Sequence, residues 1–175
     1  MKTTNSIKRT IEALVSARIG KGKVILLLGP RQSGKTTLAR MVAETSGLDT
    51  LWLSGDEADT PVLLSDTTST RLKAIFGAKK LVIIDEAQRI ANIGITLKLC
   101  ADMLPETQVI ATGSSAFDLS GATNEPLTGR KYEYHLFPLS FGEMVAYHGL
   151  MNERRLLEHR LIYGYYPEVV TSSGE

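Results

Sequence analysis

Cysteine is almost absent: Cys100 is the single one in 175 residues. No intramolecular disulfide framework can form, and this usage fits a reducing compartment. Long apolar runs are missing too. The longest, Val24-Ile25-Leu26-Leu27-Leu28, has five residues, far short of the roughly 20 that span a bilayer. The polar N-terminus lacks the apolar region of a signal peptide. Charge of one sign is also lacking, since the formal net charge is +1 and gives no global attraction to nucleic acid or membrane. His135, His148 and His159 stand at no metal-ligand spacing. The expectation is a cytoplasmic chain with no membrane partner, long enough to bury a core without staples.

What is present is concentrated in two places. The apolar run 24–28 leads directly into Gly29-Pro30-Arg31-Gln32-Ser33-Gly34-Lys35-Thr36-Thr37, which satisfies the G-x-x-x-x-G-K-[ST] phosphate-loop pattern between a buried strand and a helix. A loop that wraps a chain of phosphates uses backbone N–H groups, so Gly29 and Gly34 supply turns and close approach. The helix that follows aims free N–H groups and its positive dipole end at the same anion. Lys35 adds a point charge toward the β- and γ-phosphates, and the Thr36 hydroxyl is suited to ligate Mg²⁺.

The second place is Leu81-Val82-Ile83-Ile84-Asp85-Glu86, about 50 residues after Lys35. Four consecutive apolar residues predict a strand buried on both faces. Two carboxylates at its end are costly unless something uses them. The pattern is that of a Walker B strand, in which Asp85 supports Mg²⁺ and Glu86 orients or deprotonates the attacking water. Alone, an apolar run ending in Asp-Glu is as often a helix start. Paired with the glycine loop it points to a nucleoside triphosphate.

The remaining elements alternate. A helix is expected from an N-cap at Ser6 through Ile7, Ile11, Leu14 and Val15, ending at Gly20 or Gly22. Its basic residues Lys2, Lys8, Arg9, Arg18, Lys21 and Lys23 read as a solvated face or as an approach for nucleic acid. Beyond the loop, a helix to Gly47 and a strand at Thr50–Leu53 precede an acidic loop with Asp56, Glu57, Asp59 and Asp66. A short helix through Leu72, Ile75 and Phe76 closes at Gly77. After Glu86, Ile90, Ile93, Leu97, Cys100 and Leu104 form one helical stripe, which makes Cys100 a core thiol. The next strand, Gln108–Thr112, ends in Gly113-Ser114-Ser115. Thr112 and Ser114 are positioned to sense a γ-phosphate, while Ser115 reads equally as a helix cap. After a loop from Ser120 to Gly129, Arg130 reads either as an arginine finger, in cis or across a subunit boundary, or as a surface base at the start of the Tyr132, Tyr134, Leu136 strand. Ser140-Phe141-Gly142-Glu143 is a capping box. Asn152 is expected to cap a further helix with Leu156, Leu157, Leu161 and Ile162 inward. Gly164-Tyr165-Tyr166-Pro167-Glu168-Val169 gathers aromatics that read as packing or as a base-stacking surface.

With these residues in order, the chain resembles the prokaryotic ATPase group of the AAA superfamily labelled AAA_14, whose longer members carry a DUF4143-type C-terminal domain. The resemblance rests on the loop 29–38, on Ile84-Asp85-Glu86-Ala87-Gln88, Thr112-Gly113-Ser114-Ser115, Leu127-Thr128-Gly129-Arg130, Phe137-Pro138-Leu139-Ser140-Phe141-Gly142-Glu143, and on the 164–169 signature. It implies a three-layer αβα P-loop fold of the additional-glutamate class, with a parallel five-stranded sheet in the order 5-1-4-3-2. It implies ATP bound through Gly29, Pro30, Arg31, Gln32, Ser33, Gly34, Lys35, Thr36 and Thr37, and Mg²⁺ held by Thr36 and Asp85. Lys35, Glu86, Ser114 and Arg130 are then the catalytic candidates. Ser114 stands where a sensor asparagine is common, and Thr128 where relatives often carry alanine.

Carried over, the resemblance divides the chain into an ATPase core, 1–138, and a helical segment, 139–175, that begins a truncated C-terminal domain. Homo-oligomers and a DNA or protein client are the partners it implies. The expected function is Mg²⁺-dependent ATP hydrolysis coupled to conformational change. The alternative is a nucleotide-loaded switch or assembly module with negligible turnover. A small-molecule kinase fits less well, because no second substrate pocket is legible and Asp85-Glu86 suits water. No Asn-Lys-x-Asp sequence for reading guanine occurs.

Overall fold

A computed structural model describes residues 7–114 and 127–171. Lys2, Ser6, Ser115 and residues 120–126 lie outside the described residues. Five parallel strands form one sheet: β1 (Val24–Leu28), β2 (Thr50–Ser54), β3 (Leu81–Asp85), β4 (Gln108–Gly113) and β5 (Lys131–His135), in the order β2-β3-β4-β1-β5. Read from the other edge this is 5-1-4-3-2, as expected.

Strand residues alternate between faces, and both faces are covered. Val24, Leu26, Leu28, Val82, Ile84, Val109 and Ala111 pack against Leu72 and Phe76 of helix α4 (Ser69–Phe76) and against Ile93, Leu97 and Cys100 of α5 (Ile93–Met103). Ile25, Leu27, Leu81, Ile83 and Ile110 pack instead against Val15 of α1 (Glu12–Ser16) and Leu38, Ala39 and Val42 of α2 (Lys35–Ser46). The central strands β1, β3 and β4 are buried along their whole length, whereas the edges β2 and β5 are half-buried. Cys100 sits in the core, where burial pushes its pKa up to about 12 and leaves the thiol inert.

Helix ends follow the local chemistry. Gly47 closes α2 in the left-handed region at φ 64°, a conformation without penalty for glycine. The capping box forms as expected at α6 (Phe141–His148): Glu143 N–H donates to Ser140 Oγ at 3.1 Å, and Ser140 N–H donates to Glu143 Oε2 at 2.9 Å.

Three expectations are corrected. The N-terminal helix is only Glu12–Ser16, because Thr10 N–H is taken by Glu143 Oε1 at 2.8 Å, which leaves Ile7 in a separate small cluster with Leu139 and Met144. The acidic stretch is not all loop: α3 (Asp59–Leu64) forms, with Pro61 in its first turn where no intrahelical N–H is required, and with Leu64 buried in the core. The third correction concerns α7 (Leu150–Arg155) and α8 (Leu157–Tyr163).

Asn152 lies inside α7 rather than capping it, and Leu161 and Ile162 are 76% and 75% exposed. The inward side belongs to Glu153, which accepts from Tyr165 Oη at 2.7 Å and lies 2.7 Å from His148 Nε2 and 3.6 Å from Arg160 Nε. Burial and the bond to Glu153 push the Tyr165 pKa up to about 12, so the phenol stays a donor. Periodicity identifies a stripe but not which stripe faces in, and here a polar cluster claims the interior. A short α9 (Pro167–Thr171) ends the described chain.

This layering predicts a sharp contrast in stability. Leu97→Ala, which empties a fully buried site, is expected to cost about 3 kcal/mol in chemical denaturation, whereas Leu161→Ser is expected to stay within about 0.5 kcal/mol. A comparable loss from Leu161→Ser would contradict the orientation of α8.

Candidate functional site

All strands of a parallel sheet end at the same rim. Here β1, β3 and β4 deliver the loop 29–34, Asp85-Glu86 and Thr112-Gly113-Ser114 side by side, through the pairings Leu28 with Gly113 and Ile84 with Ala111. Gly29 passes so close to the chain after β5 that a Cβ would overlap the Leu136 carbonyl. Gln32 and Gly34 adopt positive φ, 63° and 93°, which reverses the loop before α2 begins at Lys35. Ser33 is fully buried, and its Oγ has no hydrogen-bond partner among the described residues.

Lys35 is nearly buried and its Nζ spans the loop, donating to the carbonyls of Gly29 at 3.0 Å and Pro30 at 2.8 Å. Desolvation lowers its pKa, and the charges of Glu86 and Asp85 oppose that shift. One turn of helix thus carries an ammonium and, next to it, the Thr36 hydroxyl. Thr36 Oγ1 donates to both carboxylate oxygens of Asp85, each at 3.0 Å. Thr37 is exposed.

Thr112 ties the two acidic residues together. Its hydroxyl, fully buried, donates to Asp85 Oδ1 at 2.5 Å and accepts from the backbone N–H of Glu86 at 3.1 Å. Glu86 itself sits at φ 51°, left-handed for a residue with a Cβ, and such strain gathers at functional sites. Its carboxylate accepts from the Gln88 amide, whose Oε1 in turn accepts from Ser114 N–H at 3.3 Å. Gly55 underlies this turn, since a Cβ there would overlap the Glu86 carbonyl oxygen.

A hollow of about 470 Å³ opens over these groups, with Lys35, Glu86, Gln88 and Ser114 on its walls and the Arg89–Asp56 ion pair, 2.6 Å apart, at its side. Arg31 separates it from a second hollow of about 470 Å³ bounded by Gln32, Tyr166, Glu168 and Val169. The arrangement is able to cradle an anion on backbone N–H groups and an ammonium, with a carboxylate pair beside it. Thr36 and Asp85 offer two adjacent oxygen donors, a set that suits Mg²⁺, which keeps several waters and takes further oxygens from its ligand. Among the described residues no group of three or more His, Cys, Asp or Glu could hold a metal alone.

Lys35, Thr36, Asp85, Glu86, Thr112 and Ser114 are therefore brought together. Arg130 is not. It precedes β5 at the opposite rim, where its carbonyl accepts from Val24 N–H at the start of β1, and its Nε pairs with Asp102 at 2.6 Å. Within the chain it does not reach the loop. No local chemistry in the sequence singles out Gly55 or Gln88. Gln88 is visible only inside the Asp-Glu-Ala-Gln signature, and a glycine pressed against a distant carbonyl leaves no local trace. Thr112→Val, which leaves the Glu86 N–H without its partner and the buried Asp85 Oδ1 with only the longer bond from Thr36, is expected to destabilise by about 1–3 kcal/mol in denaturant titration. Thr112→Ser should recover most of the loss.

Residues 21–145 match the model of a family described as an AAA domain, AAA_14. An uncharacterised protein of Mycobacterium tuberculosis is 34% identical over 125 residues, covering 70% of this chain and 27% of that protein. The replication factor C large subunit of Methanococcus maripaludis is 34% identical over 93 residues, covering 52% of this chain and 19% of that protein. The chain thus spans about a quarter or less of the relatives it matches. Among solved structures, the RuvB Holliday junction branch migration motor of Thermotoga maritima aligns with a TM-score of 0.52 at 19% identity, over 87% of this chain and 52% of that one. A variant of that RuvB gives 0.53 at 21% identity, over 89% and 51%. At such identity the likeness concerns the fold, and the fold is the P-loop AAA arrangement. With the matched region spanning the loop, both acidic residues and every strand of the sheet, the chain belongs to the AAA domain family.

Proposed function

We propose that this chain binds ATP with Mg²⁺ and hydrolyses it, converting nucleotide state into conformational change in a larger protein. The observation that carries this reading is the contact of Thr36 with Asp85 beside the buried Lys35, which joins the loop after β1 to the acidic end of β3. The N–H groups of 29–34 and the start of α2 receive the phosphates. Lys35 Nζ turns from the Gly29 and Pro30 carbonyls to the β- and γ-phosphate oxygens. Thr36 and Asp85 would hold Mg²⁺, which would supply charge neutralisation for the phosphates. Glu86 takes a proton from the attacking water as its oxygen bonds to the γ-phosphorus and the bridging oxygen leaves with ADP. Ser114, linked to Glu86 through Gln88, reports the γ-phosphate.

Two observations favour a second reading, a nucleotide-loaded switch with little turnover. The Glu86 carboxylate is engaged by Gln88, and Arg130 is paired with Asp102 at the opposite rim. Hydrolysis would then wait for a rearrangement of Glu86 or for an arginine from a neighbouring subunit. The names of the similar proteins, the replication factor C large subunit and a Holliday junction motor, support DNA as the client class, and the word subunit supports a multi-subunit working form, for which a homo-oligomer is the simplest version. No helix among the described residues is long and apolar enough to cross a membrane.

Two measurements test this reading. Lys35→Ala is expected to abolish ATP binding in calorimetry, and Glu86→Gln to keep binding while lowering phosphate release by about 100-fold or more. Unchanged release from Glu86→Gln would overturn its assignment as base. Phosphate release from the wild-type chain should rise with protein concentration or added DNA if a neighbour or client completes the site. Tight ATP binding with no release under any of these conditions selects the switch.

A further inference from the structure

Arg9 is one of the basic residues expected on a solvated face, yet it is 7% exposed and sends its guanidinium in three directions. Nη1 donates to the Ser33 carbonyl at 2.8 Å, Nη2 to the Phe137 carbonyl at 2.6 Å, and Nε to Glu143 Oε1 at 3.2 Å. Ser33 belongs to the loop, Phe137 to the chain after β5, and Glu143 to α6. The same Glu143 carboxylate accepts from Thr10 N–H and, on its other oxygen, from Ser140 N–H. Burial of Glu143 is offset by these donors and by Arg9, which together hold its pKa below the usual carboxylate range.

The consequence lies in the geometry of the peptide bond. In a trans peptide the C=O of one residue and the N–H of the next point in opposite directions, and no cis bond occurs among the described residues. A donor fixed on the Ser33 carbonyl, outside the loop, therefore aims the Gly34 N–H the other way, into the cradle. Gly34 has φ 93° and lacks a Cβ, so its peptide plane is freer to rotate than one entering a residue with a side chain. Arg9 and α9 lie beside it: a Cβ on Gly34 would stand in ordinary van der Waals contact with Arg9 Nη1, at 3.5 Å, and with Pro167 Cγ at the start of α9, at 3.7 Å.

We propose that Arg9 is a positioning residue for the nucleotide site: it locks the Ser33–Gly34 peptide so that the Gly34 N–H faces the phosphates, and through Glu143 it ties that peptide to α6. The proposal rests on the nucleotide-binding reading above. A ligand drawn to the Gly34 N–H is felt at the Ser33 carbonyl, at Arg9 and at the capping box of α6, in that order. Lysine cannot replace this group, because a single ammonium does not match three acceptors spread around a planar fork.

The test uses the full 175-residue chain with Arg9→Lys and Arg9→Ala, read by two measurements. Amide hydrogen exchange without nucleotide should speed up in peptides covering 29–38, while peptides covering β3 keep their protection. ATP affinity should fall by about tenfold or more in both variants, and millimolar guanidinium, but not methylammonium, should restore much of it in Arg9→Ala. Unchanged exchange in the loop overturns the proposal. So does a loss of protection spread evenly over loop and β3, which is what a merely structural arginine would give. A wild-type chain that fails to bind ATP sinks the nucleotide reading instead, and the loop exchange then still decides whether Arg9 sets the peptide.

Discussion

Parallel pairing of β1, β3 and β4 within a sheet buried on both faces is the constraint from which the site follows. Apolar side chains of these strands alternate between two helix layers, and a slip of one residue would turn each strand's core face toward the wrong layer. Register is therefore fixed by packing far from any chemistry. That register sets Gly29, Asp85 and Thr112 at one rim, because each lies at or next to the last paired position of its strand. Polar geometry at the site is inherited from apolar geometry beneath it.

The rim then carries groups that the core would reject. Asp85 is 8% exposed, and a carboxylate so enclosed is costly unless its lone pairs are used. Two hydroxyls, from Thr36 and Thr112, meet it. Left-handed φ at Gln32 and Glu86 adds backbone strain at the same spot. These costs persist because the loop, the acidic turn and the β4 end brace one another across strands. Removing one brace exposes the others, so Thr112, Gln88 and Gly55 matter here although none carries charge.

The sheet is legible in the sequence because its central strands are short, unbroken apolar runs separated by helical periodicity, and because Gly29–Thr37 and Asp85-Glu86 combine residue types with a single shared chemistry. Lys35, Thr36, Asp85 and Thr112 can be placed at one rim from position alone, since a parallel sheet brings all strand ends together. What stays hidden is decided over long range. Arg9 looks like its basic neighbours because its three acceptors are 24 to 134 residues away. Arg130 reads as a finger in cis because the sequence does not display which rim it occupies. Periodicity alone turns α8 inside out, since Leu161 and Arg160 are adjacent in the chain and only the partner, Glu153, determines which of them turns inward.

That inversion bears on how the segment after β5 is held. The buried apolar cluster shared by the N-terminal segment and α6 is small, Ile7 with Leu139 and Met144, compared with either layer of the sheet. The segment after β5 is instead tied to the N-terminal segment by directional contacts, from Arg9 and from Thr10 N–H to Glu143, and is held internally by Leu139 N–H to the Tyr165 carbonyl at 2.8 Å and by the Glu153 cluster. Directional contacts hold one geometry well and lose energy steeply when it changes, whereas apolar contacts tolerate sliding. Elements with few buried apolar contacts open at lower free energy than the core. A ligand can shift such an equilibrium only by its differential affinity for the two arrangements, and Gly34, where the loop, Arg9 and Pro167 meet, is where a bound phosphate would acquire that difference.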